Sequence, residues 1–301
     1  MSHPLAAPLP QRRVPSRPRV ITVGLDGSRE SLASVTWAAV EAHRRDLALR
    51  LLHVWSLEPD VHSPLIGSRT RHGLSESDPR TTAERIRRTH PGLDVLAQQR
   101  CGEPAAVLCE AAEESELLVL GSRGQGGVAG FVVGSVALSV VARTRHPVVL
   151  VPGPDPMPGG DVVLGLDLSH PCDEVLDYAF SQAHRLGVPL RVVHSPHAPR
   201  GYGPDAVEAA AATAPGAAAA ATARTLAQVL EQWRPSFPGL HVTGEIRPGH
   251  PARRILEASH AAGLVVIGRR NRDSRLGPHT GSVTRAVLHR CRTPVALIPH
   301  N

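Results

Sequence analysis

The chain repeats its own pattern at about half its length, and this repeat constrains the fold more than any single motif. Asp167 follows Asp26 by 141 positions (167 − 26), and each ends a run of apolar and β-branched residues. Further along, Gly268 follows Gly121 by 147 positions (268 − 121). A unit of this length is too large for a solenoid, so the repeat predicts a duplicated domain. The 301 residues are also too many for one typical domain and sufficient for two.

Each copy alternates apolar runs with helical patterns. In the first copy we expect strands at 19–25, 47–55, 94–100, 117–120 and 146–152, separated by helices. This alternation predicts an α/β fold in which each domain has a mainly parallel five-stranded sheet with helices on both faces. The Pro- and Gly-rich stretch 153–160 predicts a linker between a domain at 19–152 and a domain at 161–301, and residues 1–18 predict a disordered tail.

A glycine-rich loop follows the fourth strand of the first copy. The loop and the start of the next helix have the spacing Gly121-x2-Gly124-x9-Gly134-Ser135. Glycines let the backbone approach a ligand closely, and the N–H groups at a helix start attract phosphates. Ser135 is expected either to cap the helix or to bond a phosphate. The alternative is a flexible loop without a ligand, and a P-loop is excluded because the chain contains no lysine.

An acidic residue ends the first strand of each copy, at Asp26 and Asp167. In a parallel sheet this strand end and the glycine loop face the same crevice, where a carboxylate suits a ribose hydroxyl or an adenine amine. The alternative is a turn residue before the first helix, but the repetition of the acid favours the ligand role. The recurring His53 and His194 are predicted to be structural, since no ligand set with metal spacing surrounds them.

Composition limits the remaining function classes. The net charge is +6, but the arginines are scattered among acidic residues and aromatic residues make up 3% of the chain, which argues against nucleic-acid binding. The four cysteines form no CxxC pair, so neither a disulfide framework nor a zinc site is predicted. Residues 1–18 lack the apolar centre of a signal peptide, and no apolar run would span a membrane, so we expect a cytoplasmic protein.

From Arg19 to Pro299 the chain resembles, twice over, the universal stress protein family, whose ATP-binding members carry the spacing G-2x-G-9x-G-[S/T]. The resemblance implies two tandem Rossmann-like domains of the adenine nucleotide α-hydrolase type. It also implies ATP, with Mg²⁺, as the ligand and a regulatory role in stress or dormancy. In the first half it implies a binding set of Gly24, Asp26, Val54, Leu120, Gly121, Arg123, Gly124, Gly134, Ser135 and Val136. Arg123 is expected either to add charge beside the triphosphate or to point to solvent.

The second half departs from this pattern at one glycine. Asn271 replaces the second glycine of the loop, and the loop that follows is poorer in glycine and richer in charge. Asn tolerates a left-handed backbone better than most residues, so the turn can survive, although close backbone approach is less assured than in the first half. The corresponding binding set is Gly165, Asp167, Ser195, Ile267, Gly268, Asn271, Gly281, Ser282 and Val283.

The last strands, Val148–Val151 and Val295–Ile298, are apolar enough to pair with each other. The resemblance therefore implies a pseudo-dimer within one chain, with homodimerisation and an unknown protein partner as further expectations. The chain has neither a G-x-S-x-G signature nor paired carboxylates beside the glycine loop, so binding is favoured over catalysis. Slow ATP hydrolysis and a nucleotide-free interaction module remain the alternatives. The Ala-rich segment Ala206–Ala227 predicts a broken helix, a mobile excursion or a plain surface helix.

Overall fold

The computed structural model describes residues 19–55, 78–122, 133–153, 159–196, 216–271 and 280–300. The first half contains strands β1 Val20–Gly24, β2 Ala48–Trp55, β3 Val95–Cys101, β4 Leu117–Gly121 and β5 Val148–Val151, with helices α1 Arg29–Arg45, α2 Pro79–Thr89, α3 Pro104–Glu113 and α4 Ser135–Arg143. The second half contains β6 Asp161–Gly165, β7 Leu190–His194, β8 Val242–Ile246, β9 Ala262–Arg270 and β10 Val295–His300, with α5 Asp173–Leu186, α6 Gly216–Trp233, α7 Pro251–Ser259 and α8 Ser282–Arg290. The predicted alternation of strands and helices is confirmed in both halves.

The strands form one ten-stranded sheet that runs through both halves. Its order is β3-β2-β1-β4-β5-β10-β9-β6-β7-β8. Neighbours within each half are parallel, and β5 and β10 pair antiparallel across the middle, as predicted for the last strands. The central register places Val149 opposite Ala296, and these residues are equivalent in the repeat (296 − 149 = 147). A pseudo-two-fold axis therefore passes between them.

Helices cover both faces of the sheet, and each face has a continuous core that includes residues of both halves. One core lies under α1, α2, α5 and α6, and the other under α3, α4, α7 and α8. Both are built mainly from Val, Leu and Ala, as the low aromatic content requires. The exception is Phe180, which is fully buried, with ring centroids 5.8 Å from Trp233 and 5.5 Å from Phe237.

The first helix of the second half begins later than the repeat predicts. The equivalent of Arg29 is His170 (29 + 141), yet α5 begins at Asp173. Pro171 explains the delay, because a proline disfavours the helical conformation of the residue before it. The connection after β6 is therefore longer than the one after β1, and it lies beside the pocket described below.

The Ala-rich segment is a continuous helix over its described part. Helix α6 begins at Gly216, directly after Pro215, and the stretch 206–215 lies outside the described residues. Leu226 and Leu230 are 3% exposed and cover β8, where a Cβ added to Gly244 would lie 2.9 Å from the side chain of Leu226. Burial of this apolar face holds the helix on the sheet edge.

Candidate functional site

A pocket of about 760 Å³ opens at the carboxyl ends of the strands of the second half. It lies between the loop after β6, the end of β9 and the start of α8, which is where a parallel sheet holds its ligands. Every residue predicted for this half lines the pocket except Asn271, and the lining members are Gly165, Asp167, Ser195, Ile267, Gly268, Gly281, Ser282 and Val283. The structure therefore brings together residues that are up to 118 positions apart (283 − 165).

The start of α8 suits an anion. Gly281 is its N-cap residue, and no side chain caps the helix. A Cβ added to Gly281 would meet nothing within 4 Å, so the backbone at this helix start borders open space. The first N–H groups of a helix have no partner within the helix, and the helix dipole makes this end positive. A phosphate is the group that such an end binds best.

The carboxylate of Asp167 shapes a turn on one side and faces positive charge on the other. Its Oδ1 accepts a hydrogen bond from the backbone N–H of Ser169 at 3.0 Å. Its Oδ2 lies 3.6 Å from Arg270 Nη2 and 3.9 Å from His170 Nδ1. In the first half, Oδ1 of Asp26 accepts from the N–H of Ser28 at 2.9 Å in the same way. Both acids therefore form turns, and a further role towards a ligand stays a prediction.

The recurring histidines are structural. His53 Nδ1 lies 2.8 Å from the carbonyl oxygen of Leu25, and His194 Nδ1 lies 3.0 Å from that of Leu166, the equivalent contact of the second half. Each ties the end of a second strand to the end of a first strand. Within the described ranges, no group of three His, Cys, Asp or Glu residues could hold a metal ion.

Three of the predicted glycines have a packing role that is independent of any ligand. A Cβ on Gly24 would lie 2.6 Å from Leu120 Cδ2, and a Cβ on Gly165 would lie 2.6 Å from Ile255 Cδ1. At Gly121 the obstacle is backbone, since a Cβ would lie 2.8 Å from atoms of Glu30 and Ser31. These glycines let side chains or the start of α1 approach the strand ends closely.

Asn271 is turned away from the pocket. Its Oδ1 accepts from Arg269 Nη2 at 2.9 Å, and the same guanidinium donates to the carbonyl of Thr144 at the end of α4. Arg269 is 4% exposed and joins β9 to the first half. In the described part of the chain, Asp46 is the one non-glycine residue with a positive φ. Asn271 therefore does not adopt the left-handed conformation that the sequence analysis considered possible for it.

The pocket residues that the sequence analysis missed include Arg270, His170, Cys172 and His300. Arg270 could have been predicted from the sequence, because it is the equivalent of the predicted Arg123 (270 − 123 = 147). His170 and Cys172 enter through the late start of α5. Burial raises the pKa of the Cys172 thiol, and its hydrogen bond to Glu174 at 2.9 Å adds to the rise.

In the first half, the described candidates lie at the same positions of the fold. Gly24 and Gly121 end β1 and β4, and Ser135 begins α4. Of the two roles expected for Ser135, capping of this helix is wrong, because Gly134 is the N-cap residue and no side chain makes a capping bond, whereas binding of a phosphate stays a prediction. Ser135 is exposed at the first helical position instead. Asp26, Val54, Leu120 and Val136 are described, whereas Arg123 and Gly124 lie outside the described residues.

Comparisons with known proteins agree with this architecture. A model of the universal stress protein family matches residues 18–152 and again residues 160–299. A universal stress protein of Mycobacterium tuberculosis is 31% identical over 297 residues, which cover 93% of this chain and 97% of that protein. One of Mycolicibacterium smegmatis is 30% identical over 298 residues, covering 92% and 96%. The solved structure of a universal stress protein from Archaeoglobus fulgidus has a TM-score of 0.67 at 19% identity, covers 94% of this chain and 99% of its own, and supports the fold.

Proposed function

Since this chain belongs to the universal stress protein family, with one domain in each half, we propose that it binds ATP and acts as a nucleotide-responsive regulator of stress or dormancy. The observation that carries the proposal is the pocket at the carboxyl ends of β6 and β9, which faces the start of α8. We extend the proposal to the first half because its described candidates occupy equivalent positions.

The phosphates are proposed to lie at the start of α8. Gly281 and Ser282 line the pocket there, and the guanidinium of Arg270 supplies positive charge. Arg270 would then offset the missing second glycine by direct contact with phosphate. In the first half, Gly134 and Ser135 have the corresponding places.

The nucleoside is proposed to lie over the ends of β6 and β7. Asp167 offers an acceptor for a ribose hydroxyl or an adenine amine, and Val193 and Ile255 offer apolar surface. Ser195 is 7% exposed and donates to the carbonyl of Gly249 at 2.6 Å, which fixes this wall of the pocket. A volume of about 760 Å³ is in the range of small-molecule pockets.

A magnesium ion would be held through the phosphates and water rather than by a protein cage. Mg²⁺ bound to nucleotides commonly keeps several waters and few protein ligands. We propose a binding role without strong catalysis, and keep slow ATP hydrolysis and a nucleotide-free interaction module as alternatives.

No helix in the described ranges is long and apolar enough to cross a membrane. We propose a cytoplasmic location.

The first test is the nucleotide content of the purified protein, followed by calorimetric titration with ATP and Mg²⁺. Gly134→Glu and Gly281→Glu each place a bulky acid where a phosphate should bind. Ala223→Glu is the control, because it adds the same acid at an exposed position of α6 that lies outside the pocket. We expect two ATP per chain, one fewer in each site variant, and no loss in the control.

Each outcome of the titration assigns the function differently. One ATP, lost only in Gly134→Glu, would make the second half a scaffold and refute binding in its pocket. No binding in the wild type would leave the nucleotide-free module. ATP turnover above background that is abolished by Gly134→Glu would favour the hydrolase instead.

A further inference from the structure

The two halves also meet through a cluster of polar side chains between α1 and α5. We define this interdomain cluster by Glu41, Arg45, Glu116, Tyr178 and Gln182. The side chains of Glu41 and Arg45 are 4% and 5% exposed, and Gln182 is fully buried. Buried polar groups are costly unless each finds a partner, so their bonding pattern decides which surfaces fit together.

The first half supplies the charged side of the cluster. Arg45 donates through Nε to Glu41, and through Nη1 to Glu116 Oε1 at 3.0 Å. Two carboxylates therefore surround one guanidinium, and this triad carries one net negative charge. All three groups belong to the same half, so the triad exists whichever surface packs against it.

The second half supplies a neutral amide that matches both signs of charge. Gln182 Nε2 donates to Glu41 Oε1 at 2.8 Å, and Gln182 Oε1 accepts from Arg45 Nη2 at 2.8 Å. The ring of Tyr178 lies 5.8 Å from the guanidinium carbon of Arg45, within the range of a cation–π contact. Arg185, which is exposed at the rim, donates to the same amide oxygen at 3.4 Å. One side chain thus satisfies a carboxylate and a guanidinium together.

The repeat shows what this contact excludes. Glu41 and Gln182 are equivalent positions (182 − 41 = 141), and they face each other near the pseudo-two-fold axis. A second copy of the first half could present its own β5 in place of β10, since Val149 and Ala296 are equivalent too. Glu41 of one chain would then face Glu41 of the other.

We propose that the interdomain cluster selects pairing of the first half with the second half, and that Glu41–Gln182 is its specificity-determining contact. Pairing of two first halves would bring two triads of the same sign together where water is excluded, and like charges repel strongly there. Pairing of two second halves would set amide against amide. It would also leave Glu41 and Arg45 of both chains without Gln182.

Exchange of the two side chains across the axis tests the match. In the full chain, Gln182→Glu places a carboxylate opposite Glu41 and imitates the pairing of two first halves. We expect a clear fall in the urea midpoint. The double variant Glu41→Gln with Gln182→Glu exchanges one carboxylate and one amide across the axis, so the cluster keeps its two carboxylates, its amide and Arg45. We expect its midpoint to return close to that of the wild type.

The double variant decides between charge matching and simple crowding. Glutamate and glutamine have nearly the same shape, so a steric account predicts no loss in Gln182→Glu. A double variant as unstable as Gln182→Glu, or a Gln182→Glu variant as stable as the wild type, would overturn the proposed match.

A disulfide reporter tests the selection itself. Val149→Cys faces Ala296 within one chain but would face its own copy if two first halves paired through β5. Facing residues of antiparallel strands are close enough for a disulfide. We would refold this chain from urea at high concentration under oxidising conditions, and subtract the dimers formed by its parent with the four native cysteines.

Removal of the negative charge of Glu41 should allow the first halves of two chains to pair with each other. Added to Val149→Cys, the change Glu41→Gln is expected to raise the disulfide-linked dimer on the order of tenfold. Asp46→Asn is the matched control, since it removes a carboxylate that is 100% exposed at the end of the same helix. A dimer fraction in Glu41→Gln equal to that of Asp46→Asn would overturn the role in selection.

Discussion

The glycine that ends β4 should tolerate alanine far less well than its equivalent at the second pocket. In Gly121→Ala, the new Cβ would lie 2.8 Å from the backbone carbon of Glu30 and the backbone nitrogen of Ser31. Carbon atoms pack at about 3.5–4.0 Å, so β4 and the start of α1 must separate. Forcing extra volume into a packed site costs about 1–3 kcal/mol, and we place this variant in the upper part of that range because backbone must move.

The equivalent change in the second half meets a side chain. In Gly268→Ala, the Cβ would lie 2.8 Å from His300 Nε2 and 3.2 Å from Val175 Cγ2. The imidazole can turn away, so we expect a loss near 1 kcal/mol or less. Gly281→Ala is the control in open space, and we expect a loss of only about 0.5 kcal/mol, because alanine is less favourable than glycine at an N-cap position.

Urea unfolding followed by far-ultraviolet circular dichroism measures these differences. With a slope of about 2 kcal/mol per molar, a loss of 2 kcal/mol lowers the midpoint by about 1 M. The expected order of midpoints is Gly281→Ala highest, Gly268→Ala next and Gly121→Ala lowest. Equal midpoints for Gly121→Ala and Gly281→Ala would refute the reasoning that backbone contact, rather than a ligand, requires this glycine.

Three further changes test other parts of the structure. Glu103 accepts from the N–H groups of Ala105 at 2.9 Å and Ala106 at 2.7 Å, and these bonds hold its pKa below 4.5. Glu103→Ala should therefore cost about 1 kcal/mol at pH 7. Urea titrations should show this difference decrease as the pH falls below 4.5 through the lowered pKa, because a protonated carboxyl is a weaker acceptor than a carboxylate. Phe180→Ala should cost about 3–5 kcal/mol and shift the fluorescence of Trp233, so an unchanged melting temperature would contradict the packing described for that core. Ser282→Ala should leave stability unchanged, since Gly281 rather than Ser282 is the N-cap residue of α8. In calorimetry the same variant should bind ATP more weakly by about 1 kcal/mol. An unchanged affinity would show that the hydroxyl is not part of the proposed site.

The fold was accessible to sequence reasoning because several signals agreed. The repeat, the alternation of strands and helices, and the apolar last strands all predicted a duplicated parallel sheet joined at β5 and β10. Even the central register follows from the offset, since Val149 and Ala296 are 147 positions apart and face each other. Tertiary packing reinforced these local preferences, which is why both agree.

The interdomain cluster was not accessible in the same way. Glu41 and Gln182 lie on amphipathic helices, where a polar residue is ordinarily solvated, and the sequence carries no sign that both are buried. Their burial depends on how β5 and β10 bring α1 and α5 together. Arg270 is a different case, because the offset from Arg123 pointed to it. The late start of α5 could also have been anticipated from Pro171.

The pocket of the second half is the centre of the functional account, and photolabelling tests it most directly. The intact protein would be irradiated with 8-azido-ATP, with and without excess ATP, and digested for mass spectrometry. We predict labelled peptides that carry Asp167 or Ser195 and lose the label when ATP competes, and a weaker label in Gly281→Glu. Labelling that ATP does not displace, or that falls outside these peptides and their equivalents around Asp26 and Val54, would contradict ATP binding in this pocket.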